Sequence, residues 1–482
     1  MQGRKNYQEK LFTSFQLSDR VPEENIYRQI LNLIDFQFLY PATLAYYGRE
    51  GQSSVDPVVF FKLMLFGYLE NIPSDRKIIH SASMRMDLLF FIGYDIDEPL
   101  PWHSTLSRTR KLYGEDVFLS LFQQVLKQCI QKGMLSGRRQ AVDSMLIKAN
   151  ASMESLCEKE ILSDAIAYSA ELKENEDDNE AKTRRLPIEK SKQERFGKGQ
   201  KRNNKTHYSP SDPDSRIATK PGKPFMLSYL GQVSVDTGSH IITHAQAFHA
   251  DKRDSQCLGE MLRQTKNNLG REDLKMEEVL ADTNYSSTET LEMLERMKLK
   301  GYIPNFGGFK ADREGFTYNQ EYDHYVCSQG KYLKYKGLKN NHSLSKQYLS
   351  NGADCKNCPI RVSCIGKSSQ KMITETLSRP LFMQMEKRVK SKIGQRMKNL
   401  RHSTVEPVIG TLVNHLNLKK LNTRGLHSAT KSLLMAAIAY NLKKLVKFKM
   451  PPLPNWGTNT LSREAIALRY SLLINIRSLE SF

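Results

Sequence analysis

Residues 279–304 constrain the fold of this chain more than any other segment, because they predict two strands joined by one helix. The segment opens with a short apolar run, VLAD, that ends in Asp282, and it closes with a second run, YIP. Between the runs, Ser286 and Glu289 form a capping-box pattern for a helix that ends near Gly301. This order predicts a parallel pair of strands in an α/β sheet, with Asp282 at the carboxyl edge, where functional groups collect.

Other segments extend this sheet along the chain. AVDSMLIKANA, which begins at Ala141 and contains Asp143, alternates as a strand does. PFMLSYLGQVSVDTGSHIITHAQAF contains two alternating stretches joined across residues 237–239, which predicts a hairpin. Between these strands, residues 160–215 are first acidic and then basic, a composition typical of a flexible insert. Helices return from about Arg379, where apolar residues again follow a helical period.

Residues 55–132 predict a compact, separately folding block of helices. Asp56 can cap a helix and Pro57 fits its first turn; the VVFFKLMLFGYL that follows is apolar on nearly every side and should be buried. A later helix, which we predict to be capped by Ser104, carries a basic group on its exposed side: Arg108, Arg110 and Lys111. The pattern fits a helix-turn-helix that binds DNA and fits an ordinary solvated helix face equally well.

The charge of the chain favours a nucleic acid partner. Its 482 residues include 72 Lys and Arg against 52 Asp and Glu, a formal net charge of +20. Such an excess binds polyanions through counterion release, although a basic surface without such a partner is the alternative. Neither the opening MQGRKNYQEK nor the apolar run at 58–69, which Lys62 interrupts, fits a signal peptide or a membrane span. We therefore expect a cytoplasmic protein with no membrane partner.

Residues 305–375 are rich in glycine, tyrosine and cysteine and predict a β or loop insertion. Cys355, Cys358 and Cys364 lie in CKNCPIRVSC, which contains a C-x2-C half-site and a third thiol, and Cys327 is the candidate fourth ligand. Four thiolates would suit a structural Zn²⁺, with their sulfurs within about 4 Å of each other. Reduced thiols that only pack within the insertion are the alternative.

Asp143 and Asp282 are each only weak indications of an active site, because an acidic residue at a strand end usually caps a turn or faces water. Three segments together indicate more: DSMLIKANAS, VLADTNYSSTETL, and RHSTVEPVIGTLVNHL followed by NTRGL and AYNLKKL. Their order and spacing resemble the catalytic blocks of DDE transposases of bacterial insertion sequences. DPVVFFKLMLFGYLENIPSDRKI and PWHSTLSRTRK likewise resemble the InsH-type N-terminal domain of these proteins. The likeness covers about residues 15–150 and 205–445.

The resemblance implies an α/β protein with an all-helical N-terminal DNA-binding domain at 1–136. A ribonuclease-H-like catalytic core with insertions would follow at 137–450, and then a C-terminal tail at 451–482. Proteins of this family bind the terminal inverted repeats of their element as double-stranded DNA, cut at the element ends and join 3′ ends to target DNA. A homo-oligomer that acts at the bacterial nucleoid is therefore the expected assembly.

Carried over position by position, the resemblance implies a catalytic triad of Asp143, Asp282 and Glu406, with Arg401 gripping a DNA phosphate. Carboxylate oxygens suit Mg²⁺ or Mn²⁺, which promote in-line phosphoryl transfer. We therefore expect the three carboxyl carbons to lie within about 10 Å of one another.

The chain departs from the family pattern at two positions near this triad. Val413 stands where the family tends to place a lysine, and Asn284 stands where glycine is usual. Tyr285 and Arg424 match recurrent family residues, which packing or capping explains equally well. A transposase-derived DNA-binding protein that no longer cuts is thus the second hypothesis. A cellular nuclease on the same fold is the third, and it would not need the InsH-type N-terminal domain.

Overall fold

The computed structural model describes residues 14–48, 50, 54–159, 202–219, 224–306, 309, 313–319, 321–340 and 344–448. Most of the insert predicted at 160–215 and the whole tail predicted at 451–482 lie outside these residues. The described residues form a mixed α/β structure in which helices precede a sheet-containing core. None of the described helices is both long enough and apolar enough to span a membrane.

The N-terminal region is helical, as predicted. Its helices are α1 (Leu17–Arg20), α2 (Ile26–Leu33), α3 (Leu39–Thr43), α4 (Pro57–Leu69), α5 (Asp75–Ser83), α6 (Met86–Ile92), α7 (His103–Leu112) and α8 (Glu115–Gln131). Helix α4 begins where we predicted, because Asp56 Oδ1 accepts hydrogen bonds from the amides of Val58 and Val59 at 2.6 and 3.2 Å. Helix α7 does not: Trp102 occupies its N-cap position, and Ser104 lies within its first turn and caps nothing.

The core contains β1 (Arg139–Lys148), a small pair formed by β2 (Cys157–Glu158) and β3 (His207–Tyr208), then β4 (Arg216–Ala218), β5 (Met226–Asp236), β6 (Ile242–His249), β7 (Glu278–Leu280) and β8 (Lys300–Tyr302). In the main sheet β6, β5, β1, β7 and β8 lie side by side in this order, and β4 also pairs with β5. Strand β5 is antiparallel to β1 and β6, whereas β7 is parallel to β1 and β8 is parallel to β7. The predicted first strand and the predicted hairpin are therefore confirmed.

The predicted strand–helix–strand unit is also confirmed, but its helix is shorter than predicted. Helix α9 (Asp254–Gly270) connects β6 to β7, and α10 (Thr288–Arg296) connects β7 to β8. Ser287, not Ser286, caps α10, because its Oγ accepts the Thr290 amide at 3.1 Å. The shift has a local cause: a short turn at 283–285 follows Asp282, and the buried Ser286 ends that turn. Gly301 lies in β8.

The predicted insertion forms a second sheet. Its strands are β9 (Phe316–Asn319), β10 (His324–Cys327), β11 (Tyr332–Asn340), β12 (Leu344–Ser350) and β13 (Met372–Thr376), all antiparallel in the order β13-β12-β11-β10-β9. Two short helices that the sequence did not predict, α11 (Gly352–Lys356) and α12 (Arg361–Ile365), lie between β12 and β13. The sheet has a small hydrophobic cluster of its own: Tyr325, Leu333, Tyr348 and Ile373.

Three helices end the described chain: α13 (Arg379–Lys390), α14 (Lys392–His415) and α15 (Leu426–Lys447). Helix α15 is buried along most of its length and packs against α4, α8 and β6. Its Lys431 ammonium donates hydrogen bonds to the backbone carbonyls of Arg110 and Tyr113. One continuous hydrophobic core therefore joins the N-terminal helices to the main sheet, in place of the separate helical block that we predicted.

Candidate active site

Asp143 lies in the middle of β1 and contacts helix α14, which packs across this strand. Arg401, on α14, donates a hydrogen bond from Nη1 to Asp143 Oδ2 at 2.9 Å. The side chains are only 10% and 18% exposed, so the attraction between their charges is screened less than in a surface ion pair. The predicted phosphate-binding arginine therefore pairs with the first predicted carboxylate.

Asp282 lies beside Asp143 because of the parallel register of β1 and β7. Ala141 pairs with Leu280, and two further residues along each strand lead to Asp143 and Asp282. Burial and then the neighbouring Asp143 carboxylate raise the pKa of Asp282 above its usual value. The structure therefore brings two of the three predicted carboxylates together at the carboxyl edge of the sheet, where their like charges interact.

Asn284 holds the Asp282 carboxylate, a role that our sequence analysis missed. Its backbone amide donates to Asp282 Oδ1 at 2.9 Å, and its side-chain Nδ2 donates to Oδ2 at 3.2 Å. The signal was present in the sequence, since aspartate side chains commonly accept the amide two residues ahead. The residue that departs from the family pattern thus fixes the orientation of Asp282.

Glu406 does not join the other two carboxylates. It lies on α14 and is 59% exposed, and its Oε1 pairs with Nδ1 of His402, one turn earlier in the helix. Within the described ranges, no three His, Cys, Asp or Glu side chains are grouped closely enough to hold a metal ion. The structure therefore provides a pair of carboxylates with an arginine, and leaves Glu406 on the exposed side of the helix.

A cavity of about 200 Å³ opens beside Asp282. The ends of β7 and β8 form one wall, and α14 forms the other with three nitrogen-bearing side chains: Lys398, Arg401 and His402. Residues three and four positions apart share one face of a helix, so these groups point into the same space. The cavity can hold an anionic group such as a phosphodiester directly beside the carboxylate pair.

Tyr285 is buried beneath the site, in the turn that follows Asp282. Burial, followed by the carboxylates of Asp254, Asp143 and Asp282, holds its pKa well above the usual value. The phenol therefore stays protonated, which fits a packing role for this residue.

The three basic residues predicted to bind DNA on α7 do not share one environment. Arg108 and Lys111 are exposed and available to a phosphate. Arg110 is buried, and its guanidinium binds both carboxylate oxygens of Asp75, at 2.6 and 3.1 Å. The prediction for Arg110 is therefore wrong, because this side chain joins α7 to α5 and is not available to DNA.

The four cysteines of the insertion line one cavity of about 390 Å³: Cys327, Cys355, Cys358 and Cys364. None of them forms a disulfide bond. They do not stand close enough together to hold a metal ion in the described arrangement, so zinc binding stays a prediction.

Comparison with known protein families gives two matches. Residues 15–112 match a family described as "Transposase domain (DUF772)", and residues 326–446 match a family described as "Transposase DDE domain". Glu406, Arg401 and the four cysteines of the insertion lie within the second match, whereas Asp143 and Asp282 lie outside both.

Comparison with curated proteins gives no match. Among solved structures, the chain is similar to a piggyBac transposase in a synaptic complex with hairpin DNA. The two are 10% identical, with a TM-score of 0.32 over 88% of this chain and 75% of the other. A similarity of this size supports no conclusion about the site.

Proposed function

We propose that this chain is a DDE transposase of insertion-sequence type that cuts DNA at the ends of its own element, a proposal that its two transposase-domain matches support. It would bind the terminal inverted repeats, cut, and join the 3′ ends to target DNA. The observation that carries the proposal is the pairing of Asp143 and Asp282 beside a cavity whose facing helix presents Lys398, Arg401 and His402.

The strand order supports a ribonuclease-H-like core as part of this proposal. Three antiparallel strands, β1, β5 and β6, are followed by two parallel strands, β7 and β8, on the opposite side of β1. This topology places the middle of β1 and the end of β7 side by side. We assign residues 1–136 to DNA binding, residues 137–450 to catalysis and residues 451–482 to a tail.

This family generally uses a divalent metal, and the residues present fit such a metal only in part. Asp143 and Asp282 offer the hard oxygen ligands that Mg²⁺ or Mn²⁺ prefers, whereas Glu406, the expected third ligand, pairs with His402 and is not grouped with them closely enough to hold a metal in the described residues. A bound metal would supply charge stabilisation at the reacting phosphate. Arg401 pairs with Asp143 and so offsets part of the negative charge of the acidic pair.

The chain's own residues would position the DNA. Lys398 and Arg401 would bind phosphates beside the cut, and Asn284 would keep Asp282 oriented toward the cavity. Arg108 and Lys111, which are exposed on α7, would contact the phosphates of the inverted repeat. A homo-oligomer working on two DNA ends at the nucleoid, in the cytoplasm, completes the proposal.

The test is a cleavage assay with the full chain. The purified protein is incubated with Mg²⁺ or Mn²⁺ and a DNA fragment carrying the flanking ends of its own gene, and nicks and joined products are mapped. We expect cuts at the element ends, and we expect Asp143→Asn and Asp282→Asn to remove them while DNA binding persists. Cleavage that survives both substitutions would disprove the assignment.

The second candidate is a transposase-derived DNA-binding protein without cleavage activity. The exposed position of Glu406 and its pairing with His402 favour it. It predicts specific binding of the end fragment and no nicks with either metal, so the same assay separates the two functions.

A further inference from the structure

Residues 351–371, which we call the thiol segment, contain no buried residue. The segment consists of α11, α12 and the loops around them, and neither helix buries a side chain. Its apolar residues are open to solvent: Ile360 is 38% exposed and Val362 is 87% exposed. Burial of hydrophobic surface, which usually holds a segment of this length in place, therefore contributes little here.

A few polar contacts hold the thiol segment: Cys355 Sγ lies 3.1 Å from Ser350 Oγ, and Asp354 pairs with Lys331 at 3.7 Å. The Lys371 amide donates to Ser350 Oγ at 2.8 Å, and the Lys371 ammonium donates to the Cys364 carbonyl at 2.9 Å. Ordering each residue costs about 1–2 kcal/mol of conformational entropy, which a few exposed hydrogen bonds do not offset. The sheet below provides only the four-residue cluster described above, and structures with so small a core usually depend on disulfides or a metal.

The thiols are arranged around a single space. Cys355, Cys358 and Cys364 come from the thiol segment, and Cys327, at the end of β10, lines the same cavity. Cys327 begins a tight turn, because its carbonyl accepts the Gly330 amide at 2.8 Å and its own amide donates to the Lys331 carbonyl at 2.9 Å. A turn of this kind holds the backbone of Cys327 at a fixed place beside the cavity.

We propose that Cys327, Cys355, Cys358 and Cys364 bind one structural Zn²⁺ that fixes the thiol segment onto the second sheet. Four thiolates around zinc carry a net negative charge, and two lysines line the cavity near them: Lys371, whose ammonium donates to the Cys364 carbonyl, and Lys331, which pairs with Asp354. In the described arrangement the thiols are too far apart to hold a metal, so α11 and α12 must move toward the Cys327 turn on binding. Binding and local folding would then be one event, as in other small zinc-dependent units.

The proposal concerns structure and goes beyond the cleavage reaction, since the cysteines are not among the residues assigned to cleavage. It predicts that the zinc content is the same whether or not Asp282 is intact.

Metal analysis of the full-length, tag-free protein tests the proposal. We expect about one equivalent of zinc per chain in the wild type, and a loss of most of it in each of the single variants Cys327→Ser, Cys358→Ser and Cys364→Ser. Cys157→Ser is the matched control, because Cys157 is exposed and lies outside the cavity, so its zinc content should equal that of the wild type. Cobalt(II) should bind in place of zinc with the absorption of a tetrahedral thiolate site.

A second measurement covers variants that fail to fold. In the wild type, a zinc chelator should open the thiol segment to protease cleavage, and added zinc should restore its protection. Less than about a tenth of an equivalent of zinc in the wild type, or full zinc content in Cys358→Ser, would overturn the proposal. Retention of zinc by Cys327→Ser would also overturn it, because the fourth ligand would then be wrong.

Discussion

Arg401 connects the middle of β1 to helix α14, and its positive charge acts on both Asp143 and Asp282. Its guanidinium binds Asp143 directly, and its positive charge also lowers the pKa of Asp282 against the larger effect of burial. Two carboxylates held together in a partly buried site repel each other, so the site is destabilised wherever this cation is removed.

We predict that Arg401→Gln lowers the free energy of unfolding by about 3 kcal/mol, because it leaves Asp143 partly buried without its partner. Urea unfolding at neutral pH measures the change. Lys398→Gln is the matched control: Lys398 lines the same cavity but is exposed, so its loss should alter stability by less than about 0.5 kcal/mol. Equal stability of the two variants would show that the Arg401–Asp143 pair contributes nothing.

We also predict that Asp282→Asn stabilises the protein at neutral pH while it removes cleavage. A carboxyl group whose pKa is higher in the folded than in the unfolded state makes the folded state bind more protons. Its contribution to stability therefore decreases as the pH rises through the folded-state pKa. Asparagine removes this unfavourable contribution and can still accept the Asn284 amide.

Urea unfolding of the wild type and Asp282→Asn at pH 7 and at about pH 4, near the ordinary Asp pKa, tests this sign. The advantage of the variant should be present at pH 7 and should shrink at the lower pH. Asp97→Asn, at an exposed position, should give no difference at either pH. An Asp282→Asn variant that is less stable than the wild type at pH 7 would contradict the argument.

At the level of single elements, the sequence predicted which segments form helices or strands better than it predicted the residues that cap the helices. The strand at Asp143, the hairpin across 237–239 and the capped start of α4 agree with the structure, because each depends on residues close together in sequence. The caps at Ser104 and Ser286 do not, because a neighbouring turn or N-cap residue supplies the actual helix start. Local pattern alone does not decide between adjacent candidates for a cap.

The orientation of the basic helix α7 could not be predicted, because it depends on a distant partner. Asp75 lies on α5, and nothing near Arg110 in the sequence indicates that these two side chains meet. Glu406 makes its side-chain hydrogen bond locally, to His402 on the same helix, and the spacing of the triad in the sequence does not indicate this contact. Residues that act through long-range contacts were therefore the least predictable part of the site.

A matched pair of substitutions distinguishes the role of the buried Arg110 from that of the exposed Arg108 on α7. Arg110→Ala leaves Asp75 largely buried and unpaired, so we expect a loss of about 3–5 kcal/mol in stability. Arg108→Ala should leave stability unchanged but weaken binding to DNA and reduce the slope of log affinity against log salt by about 1. Chemical unfolding and salt-dependent binding to the end fragment measure the two effects. A normal stability for Arg110→Ala, or an unchanged salt slope for Arg108→Ala, would contradict this division.

Across the whole molecule, helix α15 connects the N-terminal helices to the main sheet. It packs against α4 and α8 on the N-terminal side and against β6 on the sheet side. The Asn441 side chain forms hydrogen bonds with both the backbone amide and the backbone carbonyl of Ile242. In the loop before α15, the side-chain Nδ2 of Asn417 donates a hydrogen bond to the Gly67 carbonyl. The contact between Asn417 and Gly67 joins residues 350 positions apart in the sequence, and no periodic pattern in the sequence predicts it.

The shared core leads to a testable prediction about stability. A cavity made at a buried position of α15 should destabilise the N-terminal helices and the main sheet together. Leu433 is fully buried and its side chain lies against β5 near Gly231. Leu433→Ala should cost about 2–5 kcal/mol. Hydrogen exchange should then show lower protection in α8 and in β6 alike, because one helix supports both.

Ile373→Ala provides the control: its side chain belongs to the separate cluster of the second sheet, so exchange in α8 and β6 should stay at the wild-type level. If Leu433→Ala exposed the amides of β6 but left those of α8 protected, the N-terminal helices would be stable without the sheet. DNA binding by those helices could then be studied in isolation.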